Sequence, residues 1–311
     1  RQLTALTTFS DLVAEAREQI HADALSAGLP DDETPLREGG SGARAYAEAV
    51  SVYLALTVGR QSNRLSTICF WDTQRENIQQ VFARQAIPMT WDFVEANPFS
   101  DSTGNFVGQL DYPARVLETL RPLRPGRAVQ RDAAAATDNG AIVYATDPPY
   151  YDNIGYADLS DYFYIWLRPA AKELYPDIFS TVLVPKAPEL IASPHRFDGS
   201  NHKATEFFEE GLFKAFALMR QNSLPGYPLT VFYAFKQSEL VEEDETAAST
   251  GWETMLEGLI RSGFSIAGTW PIRTEYTRGL KRNVNALASS IVLVCRPRPE
   301  DAPVISRRDF I

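Results

Sequence analysis

Apolar positions change their period about half way along the chain. Over residues 9–27, Leu12, Val13, Ala16, Ile20 and Ala24 recur at close to helical spacing, and an acidic, proline-containing stretch at 29–38 ends the segment. Gly39, Gly40 and Gly42 then lead into ARAYAEAVSVYLALTVGRQ, whose alanine, leucine and tyrosine content predicts a second helix. A glycine cluster that opens a helix can cradle a phosphate, but that use requires a strand directly before the glycines. An acidic loop precedes them here, so they read as a flexible linker. Residues 76–84 predict a further helix, residues 100–111 a polar loop, and residues 112–120 a helix that ends before Pro122.

The second half alternates differently. AIVYATDPPY, LTVFYAFKQ, FSIAGTWPI and SSIVLVCRP are apolar, β-branched or aromatic runs, with helical patterns at 204–219 and 252–261 between them. Strands alternating with helices predict a mainly parallel sheet with both faces covered. Only a basic loop separates the last two strands, which predicts an antiparallel pair at the sheet's edge. The pattern therefore points to an α/β fold behind a helical N-terminal region.

Composition narrows the class. With 311 residues, 44% hydrophobic and 23% charged, the chain excludes disordered, collagen-like and coiled-coil classes. No apolar run approaches the roughly 18 residues of a membrane span, and RQLTALTTFSDL lacks the layout of a secretion signal, so a cytoplasmic protein with no membrane partner is expected. The first residue is not Met and already lies in a helical pattern, as in a piece cut from a longer polypeptide. Cys69 and Cys295 stand far apart without a CxxC, which predicts reduced, buried thiols. His21, His195 and His202 show no ligand spacing, and no metal is expected. A net charge of −10 argues against a surface coated for nucleic acid while leaving room for local basic clusters.

The chemistry concentrates at Asp147, Pro148, Pro149 and Tyr150, directly after the apolar run 142–145. Two prolines cannot continue a central strand, so the chain leaves the sheet there, and the carboxyl ends of strands are where open α/β sheets bind ligands. The set suits a planar base with an exocyclic amine. The Asp147 carboxylate and the Pro148 carbonyl can accept its N–H hydrogens, while Tyr150 stacks on the ring. A second candidate is the loop after Trp270, where Arg273, Arg278, Lys281 and Arg282 are interleaved with Tyr276 and Asn283, as phosphate contacts beside an extruded base would be. Arg115, Arg121, Arg124, Arg127 and Arg131 form a further basic cluster. The rings of Tyr162, Phe163, Tyr164 and Trp166 read as core.

The run DPPYYDNIGYADLSDYFYIWLR resembles the adenine-specific DNA methylases that carry a DUF1156 domain, a group within the DPPY amino methyltransferases. The likeness extends over YAEAVSVYLAL, WDFVEANPFSDSTGN, LTVFYAFKQ and TWPIRTEYTRGLKRNVNALASSIVLVCRPR, nearly the whole chain. It implies a class I S-adenosylmethionine-dependent methyltransferase with a Rossmann-like sheet, in which residues 1–110 form the helical region and 111–311 the catalytic part. It also implies S-adenosylmethionine as cofactor, DNA as partner and methyl transfer to adenine N6. Asp147, Pro148, Pro149 and Tyr150 would be the catalytic motif. Asp147 would also line the cofactor site with Asp132, which by resemblance ends a strand in GRAVQRDAAA. The family's FxGxG cofactor loop has no counterpart here, nor has the acidic end of its second strand. The resemblance therefore implies an incomplete sheet, completed by a missing N-terminal part or a partner protein. Two alternatives stay open: a non-catalytic binding or assembly module, and methylation of an amine in RNA or a protein glutamine.

Overall fold

The computed structural model describes residues 1–82, 86–87, 89–120, 124, 126–135, 141–151, 154–236, 250–272 and 287–303. The chain forms two compact units, residues 1–130 with 155–186 and residues 131–154 with 187–311. This division differs from a boundary at residue 110, because a helix that follows the DPPY motif in sequence belongs to the first unit.

The first unit holds α1 (Gln2–Ser26), α2 (Ala43–Ser62), α3 (Phe106–Thr119) and α4 (Tyr156–Ala171). Val13 of α1, Ala55 and Val58 of α2, and Ala170 of α4 share one core, lined also by Phe9, Leu54, Phe106 and Leu167. Phe9 and Phe106 stack with centroids 4.2 Å apart. Small side chains make the close packing possible: Ala43, Ala45, Ala47 and Ala55 are all buried. Two polar side chains of this unit find partners across elements. Gln61 Nε2 donates to the Gly104 carbonyl at 2.7 Å and the Tyr162 hydroxyl to the Ser62 carbonyl at 2.7 Å. The Asn105 side chain caps α3 by accepting from the Gly108 N–H.

Three expectations for this region are corrected. Helix α3 begins at Phe106, six residues ahead of the helix expected over 112–120 and inside the stretch expected as a polar loop, because the Asn105 cap starts it there. The helix predicted from residue 76 is instead the return of a short hairpin, β1 (Trp71–Asp72) against β2 (Asn77–Ile78). Asp72 Oδ1 accepts the N–H groups of Gln74 and Arg75, and Glu76 takes φ +49°, so side-chain turn chemistry prevails over the helical pattern. The glycines before α2 are not a loose linker. A Cβ on Gly40 would overlap the Thr34 carbonyl, and one on Gly42 would lie 2.6 Å from the Pro30 oxygen. The Gly40 N–H donates to Pro35 and the Ala43 N–H to Pro30, so these amides hold the preceding loop and no phosphate.

Helix α4 was legible only as an aromatic run. Its Tyr164 is buried with Ala171 and Phe179, as core packing requires. Asp161 on the same helix accepts from the Val184 N–H at 2.9 Å and from Lys186 Nζ at 2.6 Å, and the lysine contact holds its carboxyl below the ordinary range. Asp161→Asn is expected to lower stability at pH 7 by about 1 kcal/mol, roughly 2–4 °C in melting temperature. Because the folded pKa lies below the unfolded value near 3.8, this stabilisation is full above that value and is lost as pH falls through the folded one. Thermal melts of both proteins should therefore converge on acidification, and a constant gap would contradict the assignment.

The second unit holds β3 (Ala145–Thr146), α5 (Asn201–Asn222), β4 (Leu229–Lys236), α6 (Thr250–Arg261), β5 (Phe264–Ile272) and β6 (Leu287–Pro297). These four strands lie in the order β3-β4-β6-β5. Strand β3 runs parallel to β4, with Ala145 opposite Thr230, and β6 is antiparallel to both β4 and β5. The expected antiparallel edge pair is present. The sheet is mixed rather than mainly parallel, since the reversed β6 inserts between two strands of like direction. The strand expected over 142–145 shortens to β3, with Ile142 making a single parallel bridge to Ser223.

Alternation in β4 orients the core. Leu229, Val231 and Tyr233 pack with Phe208, Leu212 and Phe216 of α5, Met255 and Leu259 of α6, and Leu293 and Cys295 of β6. The opposite side differs from the expectation of two covered faces: Phe232 is 41% exposed and Trp270 67%. Cys69 and Cys295 are free and buried, and burial raises both thiols, Cys295 to about 11. Among the described residues no helix is long and apolar enough to cross a membrane.

Candidate functional site

The DPPY segment leaves the sheet at the carboxyl end of β3. Pairing continues up to it: Thr230 N–H donates to the Tyr144 carbonyl at 3.0 Å, and Thr146 faces Val231. Pro148 and Pro149 then end the ladder, since neither has an N–H to offer β4. Pro148 is buried, whereas Asp147 is exposed. A carboxylate is thus held at the sheet edge by a buried proline beside it.

Tyr150 turns back over that carboxylate. Its hydroxyl donates to Asp147 Oδ1 at 2.8 Å, and its ring meets Tyr233 of β4 edge-on, with centroids 5.8 Å apart and planes at 87°. Tyr233 in turn lies 5.7 Å from the Trp252 ring of α6. One carboxylate with an aromatic wall beside it can accept hydrogens from a flat amine and cover its ring face. Comparison with protein-family models, curated proteins and solved structures finds no match to this chain. The residues of the site and their geometry therefore carry the functional argument.

Tyr151, the next residue, has φ +32°, a left-handed value that side-chain-bearing residues rarely take and that costs on the order of 1–3 kcal/mol. Its carbonyl accepts from the Ala192 N–H at 2.9 Å, and its hydroxyl pairs with that of Thr205 on α5 at 2.7 Å. Its ring meets Phe208 edge-on at 5.2 Å. A Cβ on Gly251 of α6 would come within 3.4 Å of the Tyr151 Cβ and 3.1 Å of the Tyr233 hydroxyl, so the glycine lets α6 approach the turn closely. Sequence reasoning missed Tyr151, Thr205 and Tyr233. The doubled tyrosine was visible, but nothing local revealed its backbone angle or its partners 54 and 57 residues away.

The other candidate residues scatter. Asp132 sits exposed in a turn, where its Oδ1 accepts the Ala134 N–H at 2.8 Å, and among the described residues 126–132 no strand runs into it. That is a turn-forming aspartate rather than the acid at a strand's end. Arg273, Arg278, Lys281 and Arg282 lie outside the described residues. One flanking end can be placed: β5 runs in the same direction as β3, so Ile272 lies at the same end of the strands as Asp147, although β5 and β3 are the two outer strands of the order β3-β4-β6-β5. Arg115 pairs with Asp111 at 3.4 Å, and Arg124 and Arg127 are exposed, while Arg121 is outside the described residues.

His21 has neighbours that spacing did not reveal. The loop before α2 folds back so that His21, Asp31 and Glu33 bring one possible ligand atom each within 4.8 Å of the others. All three are at least partly exposed, and Glu33 already pairs with Arg44 at 3.4 Å, as in an ordinary surface ion-pair network.

Proposed function

We propose that this chain is the base-binding part of an S-adenosylmethionine-dependent methyltransferase acting on adenine N6 in DNA. The observation that carries the reading is the exposed Asp147 at the end of β3, on a proline-stiffened turn with the Tyr150 ring beside it. The order β3-β4-β6-β5, with its reversed strand between two of like direction, supports a Rossmann-like methyltransferase sheet of which these strands are one half.

In this reading Asp147 and the Pro148 carbonyl accept the two N–H hydrogens of the adenine amine, which leaves the nitrogen lone pair directed out of the turn. Tyr150 covers the ring, and exclusion of water by the aromatic wall keeps the amine from solvating. S-adenosylmethionine supplies an electrophilic methyl group when bound. The chain's residues position the amine and need not remove its proton first, because the nitrogen loses it readily once it carries a fourth bond. The described residues provide the acceptor groups for the amine but no glycine turn after a strand for the donor's methionine end. The amides around Gly40 and Gly42 are engaged, and Asp132 stands in a turn. A further segment, on the same polypeptide or a partner, completes the donor site.

The test uses the protein as its own cells make it, with any polypeptide that co-purifies. It is incubated with S-adenosylmethionine labelled in the methyl group and with unmethylated DNA. Label recovered as N6-methyladenine is the expected result. Label in RNA or in protein glutamine would move the reading to another amine, and no label in any of them would favour a non-catalytic binding module.

A further inference from the structure

We infer that Tyr151 is a positioning residue for the DPPY turn, locking Tyr150 and Asp147 in place through its hydroxyl pair with Thr205. The inference rests on the reading of the site given above and adds to it a residue that touches neither amine nor methyl donor.

Three observations converge on Tyr151. Its backbone is in the left-handed region at φ +32°, which glycine or asparagine would enter with less strain. A tyrosine there is explained by what its side chain does. The hydroxyl reaches Thr205 at 2.7 Å and the ring reaches Phe208 at 5.2 Å, both on α5. The carbonyl side of the residue has its own contact, accepting the Ala192 N–H at 2.9 Å, which leaves the angle on its N–H side to the side-chain contacts. A strained angle persists only where the surroundings over-determine it, and these contacts do so from two directions.

The consequence falls on the preceding residue. Tyr150 shares a peptide bond with Tyr151, and its ring lies between Asp147 Oδ1, reached by its hydroxyl, and the edge of Tyr233. If the hydroxyl pair is removed, Tyr151 can relax toward an ordinary angle. The peptide plane then rotates, and the Tyr150 ring moves off both neighbours. Thr205 lies on the second turn of α5, a 22-residue helix, so the lock is tied to a rigid element.

The experiment places 3-fluorotyrosine at position 150 alone and records its fluorine resonance in the full protein. Tyr151→Phe and Thr205→Val, which each delete one hydroxyl and keep the volume, are expected to shift or broaden that resonance. Each should lower kcat for methyl transfer about tenfold at unchanged KM, with the melting temperature within a few degrees of the parent. The double variant should be no worse than the more affected single one, because both act through one contact. Thr205→Ser, which restores a hydroxyl, should recover the parental resonance. An unchanged resonance in both single variants overturns the inference. So does a failure of Thr205→Ser to recover it, which would assign the change to altered packing of α5. A shifted resonance in a protein that methylates nothing would uphold the positioning role and remove the methyltransferase reading, so the two can fail separately.

Discussion

Asp147→Ala is expected to lower methyl transfer about a thousandfold, or ~4 kcal/mol in activation free energy, while leaving the melting temperature within about 2 °C. The two halves of this expectation have different origins. The carboxylate is exposed, and its one described partner is the Tyr150 hydroxyl at 2.8 Å, so truncation opens no cavity and leaves the core contacts of the second unit in place. Its replacement removes the acceptor proposed to orient the amine, and loss of orientation at a reacting nitrogen costs orders of magnitude. Asp147→Asn keeps one acceptor oxygen at the same place and should retain more activity than the alanine variant. Radiolabel incorporation and thermal melts on all three proteins check this together. Full activity in the alanine variant would remove Asp147 from the mechanism, and a large fall in melting temperature would make it a structural residue.

What the sequence disclosed about this fold depended on how local the cause was. The long helices α1, α2, α5 and α6 and the strands β4, β5 and β6 follow from periodicity within their own residues, and each is present, α1 starting seven residues ahead of the expected 9–27 and the others near their expected bounds. The motif that ends β3 was legible because two prolines act on the adjacent backbone regardless of context. Features set by side-chain turn chemistry or by distant partners were not legible. The hairpin around Glu76 depends on an aspartate side chain competing for two amides, which the helical pattern does not register. The glycines before α2 are required by carbonyls at Pro30 and Thr34 that composition alone cannot bring near them. Helix α4 belongs to the first unit although its sequence follows the site motif directly. The site divides the same way: Asp147 and Tyr150 were legible as chemistry, whereas Tyr233 enters through strand pairing and Tyr151 through an unusual backbone angle.

The same logic gives the expected behaviour of Tyr150. Its ring is the surface proposed to cover the base, and base–aromatic stacking contributes about 1–3 kcal/mol, so Tyr150→Ala should weaken DNA substrate binding by roughly 5- to 150-fold. Tyr150→Phe keeps the ring and its edge contact with Tyr233 but deletes the hydroxyl that donates to Asp147 Oδ1. That hydroxyl occupies an oxygen of the carboxylate which the amine is proposed to use, so its loss removes an internal competitor at the cost of an exposed hydrogen bond. The phenylalanine variant should therefore bind within about twofold of the parent, a difference of ~0.4 kcal/mol. Fluorescence anisotropy of a labelled duplex, read at one fixed salt concentration because phosphate contacts are salt-dependent, measures both variants. Equal losses for alanine and phenylalanine would mean that the hydroxyl, by holding Asp147 in place, is the working group and that the ring is core packing against Tyr233.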